Sequence, residues 1–197
     1  MEKLKEECLP VLADAKLLVG YSAKDEDLLR SASEHLLPVS KEVAVVLYKA
    51  MMSHDGVKSI LLDLDFSEDE LVAKLDRWIK KLLSGDYSDE FWCWHWVMGL
   101  LKAQRDDLDA GCMILLFDRL RQELTQRSFE LFDEKSASKV TLSLSKLISC
   151  VNFIVFKSYR LAYQAAIEAG GLKKSILNRM IRLEVKGQME KVKAVKG

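Results

Sequence analysis

Proline occurs only at positions 10 and 38, and the 159 residues after Pro38 contain none. A chain with so few helix breakers can run long helices. Strand signals are missing as well, since no apolar–polar alternation closes on an Asn-Gly turn. The four cysteines (Cys8, Cys93, Cys112, Cys150) are scattered, with no CxxC and no metal-ligand spacing, which argues against a disulfide framework or a zinc site. Cys93 and Cys112 each lie in an apolar-rich segment and read as small buried hydrophobes. The three histidines, His35, His54 and His95, form no HxxH or HExxH pair. The opening MEKLKEECLPVLADA has no signal-type apolar core, and no run of membrane-spanning length is free of charge; the longest apolar run, Cys112 to Phe117, is far too short. A cytoplasmic protein that is not transmembrane is the expectation. GxSxG, P-loop and GxGxxG motifs are all absent. The close carboxylates Asp63 and Asp65, and Asp106, Asp107 and Asp109, read as solvated caps and loops. No enzyme is expected.

What is present describes a globular chain. Apolar residues make up 49% and charged residues 30%, and the formal net charge is zero. That balance hides an asymmetry: from Gly170 onward eight lysines and arginines face two glutamates, a net of +6 that leaves −6 for the preceding residues. Apolar residues recur at helical spacing. Leu71, Leu75, Trp78 and Leu82 step by four, three and four. Ser67 with Glu70 opens that segment as a capping box, and Ser84-Gly85 closes it. Ser22 with Asp25 starts an earlier helix, and Ser40 begins another that runs to about Met52. Long helices are expected from Asp107 to about Phe132 and from Ala137 to Ala169. Gly170-Gly171 then precedes a basic amphipathic segment with a stripe of Leu172, Ile176, Met180 and Leu183, flanked by Lys173, Lys174, Arg179, Arg182 and Lys186. Six to eight helices in an all-α fold follow, with a domain over residues 1–169 and a basic C-terminal helix over 170–197.

The segment between Asp86 and Lys102, DYSDEFWCWHWVMGLLK, is the most informative. Trp92 and Trp96 share one face of its helix and Trp94 lies opposite, so the helix is expected to be buried on two sides. The run resembles the proximal helix of the globin-coupled sensor and protoglobin family. The resemblance extends over roughly residues 12 to 165. A short pre-helix from Asp14 to Gly20 precedes Ser22 to Leu37. Val43 to Met52, with Leu47-Tyr48, resembles the distal-side helix. Trp78, then Ser84-Gly85, then Tyr87 resembles that family's tryptophan, small-residue turn and tyrosine. No output module accompanies it.

The resemblance implies a globin-like fold with extra N-terminal helices, a homodimer built on the last two core helices, and a haem pocket for a gaseous ligand. In that family the residue three after the glycine of the proximal helix is the histidine that holds the iron, and here that residue is Lys102. Tyr48 takes the distal, gas-facing position. His95 and Trp78 are secondary candidates for the pocket. A lysine amine ligates iron only when neutral, which at an ordinary pKa costs about 4–5 kcal/mol at pH 7. The expectation is therefore a sensing or binding module that is haem-free or atypical in haem binding, with a pocket for an apolar or anionic small ligand. Two alternatives stay open. One is a haem protein binding O2, CO or NO through Lys102 or His95. The other is a helical interaction protein that meets a protein, an anionic membrane or nucleic acid through residues 171–197.

Overall fold

The computed structural model describes the chain except residues 1, 63–65, 104–109, 172–173 and 196–197, and except the side chains of 60, 110, 174 and 187–195. Asp63, Asp65, Asp106, Asp107, Asp109, Leu172 and Lys173, given roles above, lie outside the described residues, as does the side chain of Lys174. Among the described residues the chain is helical, without strands: α1 (Glu2–Val19), α2 (Ala23–Leu36), a 3-10 turn (Leu37–Val39), α3 (Ser40–Met52), α4 (Asp55–Leu62), α5 (Glu68–Leu83), α6 (Asp89–Lys102), α7 (Ala110–Leu131), α8 (Glu134–Ala169) and α9 (Lys174–Val195).

Capping chemistry sets several of these boundaries. At α5 the Glu70 N–H donates to Ser67 Oγ at 3.3 Å, and the Ser67 N–H donates to Glu70 Oε2 at 2.8 Å. At α2 the N–H and the hydroxyl of Ser22 both donate to Asp25 Oδ2 at 2.9 Å. Pro38 sits in the 3-10 turn between α2 and α3. Gly85 follows α5 with φ +77°, and a Cβ there would lie 2.8 Å from Arg30 Cα, so both backbone and space call for glycine.

Three boundaries differ from the sequence expectation. The short pre-helix from Asp14 is the second half of a longer helix that starts at Glu2 and carries Pro10 inside it. Pro10 and Glu6 are both exposed, so the carbonyl that loses its helical partner faces solvent. α8 begins at Glu134 rather than Ala137, because Asp133 Oδ1 accepts the N–H groups of Lys135 and Ser136 at 3.1 Å each. The short α4 follows Met52, where the sequence pattern marked no further helix; eight residues are too few to show a clear period.

Residues 1–159 form one compact unit and 160–197 a second, the division falling within α8. In the first unit α3 packs on α5 and α7, and α1 packs on α6. The core gathers Leu29, Val43, Ile79, Leu82, Phe91, Trp92, Leu120, Leu147 and Ile154, each at most 1% exposed. α8 is long and apolar enough to cross a membrane by composition alone. Its apolarity serves this core, since Leu144, Leu147, Cys150, Val151 and Ile154 are at most 2% exposed. The second unit holds the end of α8, a turn at Gly171 with φ +89°, and α9.

Candidate functional site

α6 is fixed on several sides. Trp92, Trp96, Phe91 and Cys93 are buried, and the indole of Trp92 donates to the Tyr87 carbonyl at 3.0 Å. Lys16 of α1 lies over the Trp92 ring, 5.3 Å from its centroid, and Lys5 of α1 pairs with Asp89 at 3.0 Å. On the α8 side Gly99 allows a close approach: a Cβ there would lie 1.9 Å from Ser158 Oγ and 2.2 Å from the Val155 carbonyl oxygen. The doubly buried helix expected from its tryptophans is what forms, although Trp94 keeps partial exposure and lies beneath the Lys81 ammonium, 5.0 Å from the ring centroid.

His95, Met98 and Lys102 then step by three and four along one face of α6. All three line a cavity of about 240 Å³ closed by Leu47, Tyr48 and Met51 of α3, Leu61 of α4, Leu71, Lys74, Leu75 and Trp78 of α5, Met113, Leu116 and Phe117 of α7, and Val155 of α8. The sequence candidates Lys102, Tyr48, His95 and Trp78 therefore share one cavity. Lys74, Met98 and Met113 were not anticipated. Lys74 had a signal: it lies three after Leu71 and four before Trp78, on the apolar stripe itself.

His95 is 1% exposed and both ring nitrogens are used. Nδ1–H donates to the Phe91 carbonyl at 2.9 Å, and Nε2 accepts the Trp78 indole N–H at 3.3 Å. That pairing sets the neutral tautomer, and burial pulls the pKa down to about 4. Because the unfolded chain binds a proton near pH 6.5 and the folded chain does not, stability is full above that pH and falls as pH drops toward 4. At pH 5 the loss is about 2 kcal/mol. Urea titrations at pH 7 and pH 5 should show a drop larger by about that amount in the native protein than in His95→Phe. Equal drops would refute a neutral buried imidazole.

Lys102 has a different character. Burial pulls its ammonium down to about 8, with no offsetting carboxylate. No hydrogen bond or ion pair reaches it among the described residues. The phenol of Tyr48 is raised by burial and then by the Glu68 carboxylate. Lys74 Nζ, on the cavity wall formed by α5, sits 2.9 Å from the centroid of the Phe66 ring. The cavity is thus mostly apolar, with two cations, Lys102 and Lys74, and one phenol on its wall.

The remaining candidates stand apart from this cavity. Cys8, Cys93 and Cys150 are buried thiols. Cys112 is not the buried hydrophobe expected; it is partly exposed, 3.8 Å from His54 Nε2, because its position on α7 faces the short α4 segment. His35 and His54 are exposed at helix ends. No group of histidine, cysteine and carboxylate residues able to hold a metal ion occurs among the described residues.

The model of the protoglobin family matches residues 11–165. In structure the chain is similar to the globin domain of the Geobacter sulfurreducens globin-coupled sensor, at a TM-score of 0.68 and 17% identity, covering 75% of this chain and 97% of that one. No curated protein matches the chain. The match at that identity carries the globin-like fold. With the family model spanning most of its length, the chain belongs to the protoglobin family.

Proposed function

We propose that this domain is a sensing and binding module whose globin pocket takes an apolar small ligand with an anionic end, Lys102 supplying the counter-charge, in place of ordinary haem. The observation that carries the reading is Lys102, half-buried on the wall of a mostly apolar cavity and without an ion pair among the described residues. Partial burial makes an uncompensated cation costly, and an anionic headgroup would relieve that cost while the tail fills the apolar space. The volume, about 240 Å³, lies just under the roughly 300–1,000 Å³ usual for small-ligand sites.

Haem is the cofactor general to this family, and the donor set here suits its iron poorly. The one imidazole on the cavity wall has both nitrogens committed, so ligation through His95 would break the Trp78 bond. Lys102 is mostly protonated at neutral pH. Its lowered pKa is nevertheless the observation that favours the second reading, a lysine-ligated haem. With a pKa of about 8, the neutral amine costs only about 1.4 kcal/mol at pH 7.

Binding rather than catalysis is part of the same reading, and so is a cytoplasmic homodimer. Ile114 and Leu115 of α7, and Leu142 and Phe153 of α8, are apolar residues exposed by 37–68% on the two helices expected to pair. Residues 170–197 are proposed as a separable appendage to this domain.

Calorimetric titration with dodecanoate and with dodecanol tests the pocket. The native protein should prefer the carboxylate by at least tenfold, and Lys102→Met should lose that preference while still binding the alcohol. Equal affinity of the native protein for both would refute the counter-charge. A strong Soret band from stoichiometric haem, abolished by Lys102→Ala, would establish lysine ligation instead.

A further inference from the structure

The second unit carries a surface that the pocket leaves unused. Along α9, Ile176, Met180, Ile181, Leu183 and Val185 are 47–62% exposed, an apolar arc left open to solvent. At 3.6 residues per turn, Arg179, Arg182 and Lys186 gather within about 60° on another side of the helix. Glu184 interrupts the apolar arc, and both it and Lys186 have interaction partners. The segment from Gly170 onward has a net charge of +6, and the rest of the chain −6.

The occupant of this face must satisfy both halves of the pattern. A second copy of the helix would bury the apolar arc but offer no counter-charge to the basic side. A nucleic-acid backbone would neutralise the basic side but offer nothing to the apolar arc. An anionic bilayer supplies phosphate headgroups for the arginines and lysines and an acyl boundary for the isoleucines, methionine and leucine. The helix carries too many charges to span a bilayer; lying in the interface is the geometry its two faces allow. We propose that α9 is a peripheral membrane helix that docks the protein on anionic lipid surfaces. This inference is independent of what the globin pocket binds.

Co-sedimentation of the full chain with vesicles of phosphatidylcholine alone, and of phosphatidylcholine with 30% phosphatidylglycerol, tests it. Partitioning should be at least tenfold stronger on the anionic vesicles and should be lost in 0.5 M sodium chloride. That salt series uses the unaltered protein and does not depend on any variant folding. Two variants separate the contributions, with far-UV circular dichroism and thermal unfolding confirming that the globin unit is intact. The pair Arg179→Glu and Arg182→Glu should weaken binding at least tenfold, and so should the triple change Ile176→Ser, Met180→Ser and Leu183→Ser. Equal binding to neutral and anionic vesicles, or none to either, overturns the proposal. So does unchanged binding of the serine variant, which would mean attachment by charge alone. Binding to duplex DNA without vesicle binding would assign the face to nucleic acid instead.

Discussion

Replacing Asp25 with alanine is expected to cost about 3–5 kcal/mol, lowering the thermal midpoint by roughly 6–20 °C. The carboxylate is 7% exposed and joins two distant parts of the chain. One oxygen accepts the Ser143 hydroxyl at 2.8 Å and the Lys146 ammonium at 3.0 Å. The other accepts both the backbone N–H and the hydroxyl of Ser22 at 2.9 Å. Its removal would strip the N-terminal cap of α2 and leave Lys146, whose side chain is only 24% exposed, without its counter-charge. Asp25→Asn keeps some of the hydrogen bonds and should fall in between. Thermal unfolding followed at 222 nm reads all three; a midpoint within a degree or two of the native protein for Asp25→Ala would show that the network contributes little. The acid response adds a second signature. Burial pushes the Asp25 carboxyl up, but the bonds from Ser143, Lys146 and Ser22 outweigh it and hold the group below the ordinary carboxylate range. Its stabilisation is complete above about pH 4 and is lost as pH falls through the lower folded-state value. Acid unfolding of the native protein should therefore run in two stages, His95 between about pH 6.5 and 4 and Asp25 below that.

Gly99→Ala is the other substitution with a large expected effect. The added methyl would overlap both the Ser158 hydroxyl and the Val155 carbonyl oxygen, at 1.9 and 2.2 Å, and the second of these is backbone. A side chain could rotate away, but a carbonyl in the middle of α8 moves only with its helix. The cost is placed at or above the upper end of the overpacking range, about 3 kcal/mol. Because Gly99 lies three residues before Lys102, forcing α6 from α8 would also shift the cavity wall. Both a fall in the thermal midpoint and weaker dodecanoate binding are expected. Ser158→Ala should restore only part of the loss in the double variant, since the carbonyl contact persists. A Gly99→Ala protein as stable as the native one would mean that the two helices are not in contact at this point.

The helical architecture was legible because its signals are local. The capping pair Ser67 and Glu70, the stripe through Leu71, Leu75 and Trp78, and the scarcity of proline each act within a few residues. The cavity was partly legible, since Lys102, Tyr48, His95 and Trp78 were all picked out and all line it. The partners of those residues were not. That the Trp78 indole donates to His95 Nε2 depends on how α5 and α6 cross, and nothing in either segment encodes the crossing. The Asp25–Lys146 pair spans 121 residues and was missed for the same reason; Asp25 was read only as a cap. Glycine at 99 was noticed as a marker in a motif, whereas its physical reason, a carbonyl of α8 pressed against it, appears only in three dimensions.

The pinning of α6 also bears on discrimination between ligands. Gly99 against α8, Trp92 under Lys16, and His95 tied to Trp78 hold one wall of the cavity still, and that wall carries the charge. Across from it, Met51 and Met113 present unbranched, pliable thioether chains from α3 and α7. A site made this way recognises the headgroup at one fixed point and moulds itself around whatever follows. A homologous series of carboxylates should then bind with affinities that change gradually with chain length, whereas moving the charge by a single carbon along the same chain should cost far more.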